Sequence, residues 1–379
     1  MKSGIMSFGA RGVAFAAAIA LPLLGAANPA DAEPSEAYEL ETVAEGLSFP
    51  WNVSFLPDGT ILLTELDGRL RVIRDGELDP EPVTGVPPVY RKSQGGLFDV
   101  IPHPDFASNN LVYLSYAHGE PDANATRVSR ATFDGSSLSD LEVIYEATPL
   151  KDTPVHYGGR IAFAPDGKLF LTIGDGFNYR EEAQILSNTL GTIVRLNDDG
   201  SVPADNPFIG RENVRPEIFS YGHRSPQGLI IRSDGTVFMN EHGPQGGDEI
   251  NLIEAGKNYG WPVITYGLDY TGARITPFTE MDGMEQPLKY WVPSIAPASL
   301  DLYTGSLFPS WQGDFLVAGL VPGDVRRVDM ENGEAANEEI LFAELGSRIR
   351  QVKMAPDGSL YILTDGDGGK VIRATPAGN

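Results

Sequence analysis

Four copies of one short pattern, each standing just before an apolar run, constrain this chain more than any other feature. They are Phe55-Leu56-Pro57-Asp58-Gly59, Phe163-Ala164-Pro165-Asp166-Gly167, Ile231-Arg232-Ser233-Asp234-Gly235 and Met354-Ala355-Pro356-Asp357-Gly358, with a weaker copy at His103-Pro104-Asp105-Phe106. In each, a strand delivers the chain to a turn whose Asp and Gly satisfy the turn geometry, and the next strand returns antiparallel. The pattern is a hairpin device. The runs 61–64, 70–73, 111–114, 169–173, 237–239, 315–317 and 360–363 are short and rich in β-branched and aromatic residues. No segment beyond residue 40 sustains the 3.6-residue apolar period of a helix, which is expected only at 181–187. Spacings near multiples of roughly 50 to 60 residues suit four-stranded blades around an axis, and the length accommodates about six. The chain is therefore predicted to be all-β, a six-bladed β-propeller forming one domain over residues 33–379. Loops at the mouth of such a propeller carry function.

Composition narrows the function classes. With 28 basic and 52 acidic residues the formal charge is −24, which disfavours nucleic acid and anionic membrane surfaces as partners and suits a cation binder. There is no cysteine, so disulfides, thiolate metal sites and a cysteine nucleophile are excluded. Lys2 and Arg11 precede the apolar run 12–27, and Ala30-Asp31-Ala32 offers small residues for cleavage. Residues 1–32 thus read as a secretory signal, with an exported mature chain starting near Glu33. The run falls short of the ~20 residues needed to span a bilayer and is interrupted by Pro22, so stable membrane insertion is not expected.

Residues 240–262, NEHGPQGGDEINLIEAGKNYGWP, combine a tight turn, clustered acids and punctuating glycines. Gly243-Pro244 can point two successive carbonyls the same way, and Gly246-Gly247 lets the chain fold back closely. With Asp248, Glu249, Tyr259 and Asp269 nearby in sequence, oxygen ligands are plentiful and soft ligands absent, which favours Ca²⁺ over zinc or copper. A glycine-rich loop with solvated acids is the competing reading.

Among five histidines, His156 in Val155-His156-Tyr157-Gly158-Gly159-Arg160 stands at a glycine-bearing turn entering a strand, where its ring can emerge at a blade edge as a proton acceptor for a hydroxyl substrate. A satisfied structural histidine is the alternative. Arg348 and Arg350 alternate onto one face; with Arg224 they suit a ligand bearing several carboxylates, or else salt bridges to surplus acids. Gln94, beside Gly95 and Gly96, suits a sugar hydroxyl or a turn.

In order along the chain, Phe49-Pro50-Trp51, Ser93-Gln94-Gly95-Gly96-Leu97, the His156 segment, Gly174-Asp175-Gly176, 190–195, Asp205-Asn206-Pro207-Phe208, 221–228, 240–262, Pro293-Ser294-Ile295-Ala296-Pro297 and 347–365 resemble the soluble pyrroloquinoline-quinone (PQQ)-dependent aldose sugar dehydrogenases of the glucose/sorbosone dehydrogenase group. The resemblance implies PQQ and Ca²⁺ as cofactors, an aldose as substrate, and oxidation of its C1 hydroxyl to a lactone. It implies His156 as general base, Gly243 and Pro244 as carbonyl ligands of the Ca²⁺, Arg224, Ser225, Arg348 and Arg350 around the quinone, and Gln94 on the substrate side. Glu249, Tyr259 and Asp269 match a second, structural Ca²⁺ site. Three departures stand out: Ser225 where the family often has Asn, Val321 where a lysine is common, and Val155 where glucose-specialised members have an aspartate. The last favours broad aldose use. The sequence names no electron acceptor, and leaves open a metal-dependent lactonase or esterase propeller and a non-catalytic carbohydrate-binding propeller.

Overall fold

The repeated turn closes the hairpins as the sequence requires. In the computed structural model, which describes residues 35–378 apart from 322, 332 and 333, Leu56 N–H donates to Thr60 O at 2.8 Å and Thr60 N–H to Asp58 Oδ1 at 3.0 Å. The same two bonds recur between Ala164 and Lys168 with Asp166, Arg232 and Thr236 with Asp234, and Ala355 and Ser359 with Asp357. Each turn glycine takes positive φ, 77° to 87°, which a side chain would disfavour.

Each copy joins the first and second strands of a blade. There are six four-stranded antiparallel sheets. Their first strands, Pro50–Phe55, Leu97–Pro102, Gly158–Phe163, Pro226–Ile231, Pro297–Leu302 and Ile349–Met354, pack each against the next, and the sixth packs against the first to close a ring. This is the six-bladed β-propeller. Blade two carries the weaker copy, followed by the helical turn Phe106–Asn109. Blade five has no copy: its corner is a longer loop filled by the fully buried Tyr303, Phe308 and Trp311. The sixth blade is completed from the other end of the chain by Tyr38–Ser48, paired antiparallel with Asp367–Pro376, which ties the ends and leaves no open seam. The helix expected over 181–187 is instead the 3-10 turn Arg180–Gln184, which ends at the extended Ile185; Asn188 Nδ2 donates to the carbonyls of Glu182 and Ile185. The predicted signal segment lies outside the described residues.

The blades are pinned at the axis by polar groups from their first strands. Arg160, buried among apolar sheets, stacks over Trp51 at 3.8 Å and donates to Gln227 O at 2.7 Å, Ala298 O at 3.1 Å and Asn52 Oδ1 at 3.2 Å. It thereby ties blade three to blades one, four and five. Gln351 of blade six donates to Asn52 and accepts from Val53 N–H at 2.7 Å. Burial pushes the Arg160 guanidinium down to about 10, still charged at neutral pH, and Asp99 lies 4.0 Å away. Arg160→Ala would leave the Gln227 and Ala298 carbonyls and the Asp99 carboxyl without their buried cationic partner. We expect it to remove about 3–5 kcal/mol of stability, read as a lower denaturant midpoint.

Candidate active site

At the mouth of this ring three short segments from blades three and four are laced together by their backbones. Asp175 N–H donates to Arg224 O at 2.8 Å and His242 N–H to Ser225 O at 3.1 Å. Gly174 is required here, because a Cβ would lie 2.3 Å from His156 O. His156 and Phe177 hold positive φ, 51° and 69°, and such strained non-glycine backbone persists only where its surroundings enforce it. The enforcement is visible: His156 N–H donates to Gln94 Oε1 at 2.7 Å and Phe177 N–H to Asp175 Oδ1 at 2.7 Å.

The His156 ring meets Asp175. Nδ1 lies 2.7 Å from Asp175 Oδ1, and the other oxygen, Oδ2, accepts from Trp261 Nε1 at 2.7 Å. Burial pushes the Asp175 carboxyl up, but the His156 ring and Arg224 outweigh it and hold the group below the usual carboxylate range. Asp175 is therefore an acceptor, Nδ1 carries the proton, and Nε2 is the basic nitrogen. Burial lowers the proton affinity of His156 below that of a free imidazole, against the pull of Asp175. The result is an imidazole that is neutral at pH 7 and oriented to take a proton at Nε2. Asp175 is the functional residue that sequence reasoning missed; a Gly-Asp-Gly turn directly after the run 169–173 was the available signal.

Arg224 N–H donates to Glu241 Oε2 at 2.6 Å, and its Nη1 donates to His242 O at 3.0 Å and Gly243 O at 2.6 Å. The guanidinium lies over the Trp261 ring at 5.3 Å. Pro244, Arg224 and Trp261 line a cleft of about 460 Å³ whose rim carries the exposed rings of Phe177 and Tyr270. A second cavity of about 290 Å³ is lined by Gln94, Gln227, His242, Arg348, Arg350 and Asp365. As strand alternation requires, Arg348 and Arg350 share a side, where both bond Asp365, at 3.0 Å each. Two guanidinium groups on one carboxylate leave a net positive wall with unused donors.

Other predicted residues fall differently. Ser225 is fully buried, and its Oγ accepts from Gln227 Nε2 at 3.2 Å, so Gln227 rather than Ser225 faces the cavity. Val321 is half exposed and presents no cation. Asp248 is saturated as a clamp, taking N–H donors from Gly243, Ile295 and Ala296 and the Ser294 hydroxyl. Glu249, Tyr259 and Asp269 do not converge. Glu249 and Tyr259 line one small void together with Glu241, whereas Asp269 sits on the outer cleft, its carboxylate on Thr271 and 3.7 Å from Arg180. The Tyr259 hydroxyl is committed to Leu252 O and Glu254 N–H. Glu249 faces Glu241 across neighbouring strands, and burial with that like charge pushes its carboxyl up, a repulsion that a cation would relieve. Among the described residues no cluster of three or more His, Asp or Glu side chains is arranged to hold a metal.

The profile described as Glucose / Sorbosone dehydrogenase matches residues 47–373, nearly all of the propeller. The chain belongs to the glucose/sorbosone dehydrogenase family. Within that family it is 38% identical over 344 residues to the aldose sugar dehydrogenase YliI of Escherichia coli, covering 89% of this chain and 92% of the relative. The solved apo-form of the soluble aldose sugar dehydrogenase from Escherichia coli superposes with a TM-score of 0.87 at 37% identity, over 90% of this chain and all of that one. The PQQ-bound aldose sugar dehydrogenase from Streptomyces coelicolor gives 0.74 at 26% identity, over 90% of this chain and 99% of that one. The chain is thus a member of the sugar dehydrogenase family of the propeller type, a membership that implies a sugar as substrate.

Proposed function

We propose that this chain is a Ca²⁺- and PQQ-dependent aldose dehydrogenase that oxidises the C1 hydroxyl of sugars to lactones. The observation that carries the reading is the His156–Asp175 pair, a neutral imidazole held through Nδ1 by a carboxylate whose turn is laced to Arg224. The residues fit the cofactor. Arg348, Arg350 and the Gln94 amide supply donors for a planar polyanion, and His242 Nε2 is a buried nitrogen with no partner in the cavity wall. Gly243 and Pro244 would offer main-chain oxygens to the cation, the Gly243 carbonyl keeping a second lone pair beside its bond to Arg224. A hard cation on main-chain oxygens fits Ca²⁺. When bound, PQQ with Ca²⁺ supplies the acceptor for the hydride that leaves C1.

The remaining work belongs to the protein. His156 Nε2 takes the hydroxyl proton as C1 loses hydride, and Asp175 stabilises the imidazolium through Nδ1–H. Trp261 holds Asp175 in place, and Gln94 fixes the strained backbone of the base. Arg224 spans the turn that would carry the cation. With Val321 and Ser225 where the family has a lysine and an asparagine, this member would offer the quinone two fewer polar groups, while Gln227 lines the cavity. The known PQQ-bound relative supports this assignment of the cofactor. Residues 1–32 support export to the periplasm, and the mass of the exported protein, starting near Glu33, checks that.

Reconstitution tests the function. Protein given PQQ and Ca²⁺ is expected to bind the quinone, followed by its absorbance, and to reduce an artificial dye on addition of aldoses. Absence of dye reduction across a broad aldose panel in folded, quinone-loaded protein contradicts the proposal. Lactone hydrolysis without PQQ would point to the esterase class instead, and indifference to PQQ to a binding module.

A further inference from the structure

One buried cation beside the site has no part in the chemistry above. Lys151 is 3% exposed. Its Nζ donates to Asn124 Oδ1 at 3.1 Å and to Thr153 O, and lies 3.5 Å from the centre of the Tyr157 ring. The cage is shared with the site on two sides. Tyr157, next in sequence to His156, donates its hydroxyl to the same Asn124 Oδ1 at 2.7 Å. Thr153 Oγ1 donates to Gly176 O at 2.6 Å, and a Cβ on Gly176 would lie 2.8 Å from Lys151 Cδ. Lys151 therefore packs directly beneath the turn that carries Asp175, and behind the segment that carries the base.

A buried amine in a cage lined by Ala125, Ala147, Ile173 and Leu190 costs solvation that a methionine would not. The apolar packing of its stem could be made without charge, whereas its two hydrogen bonds and its contact with the Tyr157 ring need the amine. The groups whose charge faces it are Asp175 and Asp152, with His156 and Arg224 beyond, so its field falls on the carboxylate and imidazole that move the proton.

We propose that Lys151 is a positioning residue for the dehydrogenase reaction, bracing the Asp175 turn from below and the His156 segment from behind and setting a positive charge against both. This rests on the reading of His156 as the base. The effect is present while Lys151 is protonated; burial brings its amine down to about 7, against the pull of Asp175 and Asp152. His156 titrates below the ordinary imidazole value, where the lysine is charged. Removing the cation thus raises the proton affinity of His156.

The test compares Lys151→Met, Lys151→Gln and Lys151→Arg. In the quinone-loaded enzyme the first two are expected to lower kcat with little change in the KM for sugar. They are also expected to move the acid limb of the kcat/KM profile to higher pH, by on the order of half a pH unit. Lys151→Arg, keeping the charge, restores the limb. The same shift is read without cofactor from the His156 imidazole resonance, assigned by its loss in His156→Gln, so a failure of the dehydrogenase reading does not mask the result. Lys151→Gln covers the case in which the methionine variant does not fold. A lowered melting temperature with both the limb and the His156 titration unmoved overturns the proposal and leaves Lys151 a packing residue.

Discussion

His156→Ala in quinone- and Ca²⁺-loaded protein is expected to lower turnover by about 10²–10⁴, with quinone binding retained. The ring makes no bond to the arginine-lined cavity; its protein partner is Asp175, and its backbone N–H bond to Gln94 survives the substitution. What is lost is the acceptor for the hydroxyl proton. The wild-type profile carries the signature of the same group. Because burial lowers the His156 value from 6.5, kcat/KM should be full above that value and fall only as the pH drops below it, when the imidazole becomes protonated and ceases to be a base. A profile without an acid limb in wild type, or an alanine variant with unchanged kcat, removes His156 from the mechanism.

Asp175→Asn is expected to be nearly as damaging, on the order of 10²–10⁴ in kcat, although the side chains are isosteric. Trp261 Nε1 and Phe177 N–H are both donors only and compete for the single amide oxygen; where Trp261 keeps it, the amide nitrogen turns toward His156. An N–H then faces Nδ1, the imidazole must carry its proton on Nε2, and the nitrogen presented to substrate is no longer basic. Phe177 N–H, which donates to Oδ1, also loses its acceptor, so some loss of stability accompanies the kinetic effect. Kinetics alongside circular dichroism separates the two: folded protein with normal kcat would show that the carboxylate is dispensable.

The propeller was legible because its turns are chemically explicit. An Asp that accepts the N–H two residues on, followed by a glycine at positive φ, recurs four times, and nothing distant is needed to read it. Blade five escaped the pattern because its corner is held by packed aromatics, which announce burial but not a turn. The 3-10 turn at Arg180–Gln184 carries helix-forming residues, but the backbone goes extended at Ile185, where Asn188 takes up the freed carbonyls as a donor. Within the site, His156, Arg224, Gln94 and the Gly243-Pro244 turn could be named from their local setting or resemblance. Asp175 could not be given its role, because the pairing with His156 joins the two ends of a hairpin, and the Trp261 contact reaches across from blade four. Asp269 misled in the opposite way: close in sequence to Glu249 and Tyr259, it belongs to a loop on the outer cleft.

By itself the sequence determined the blade and its repetition, the absence of sulfur chemistry, the acidic charge and the residues able to move a proton or hold a cation. These are properties of single residues and short neighbourhoods, fixed by backbone geometry and side-chain chemistry. Tertiary structure alone decided which groups share a pocket: that Asp175 orients His156, that Arg348 and Arg350 divide Asp365 between them, that Gln227 replaces Ser225 at the cavity wall, and that Lys151 lies beneath the turn. The reason is strand pairing and ring closure: a blade's hairpins bring His156 to Asp175 and Arg350 to Asp365, and the ring brings Gln351 to Asn52, so no local pattern encodes which residues meet.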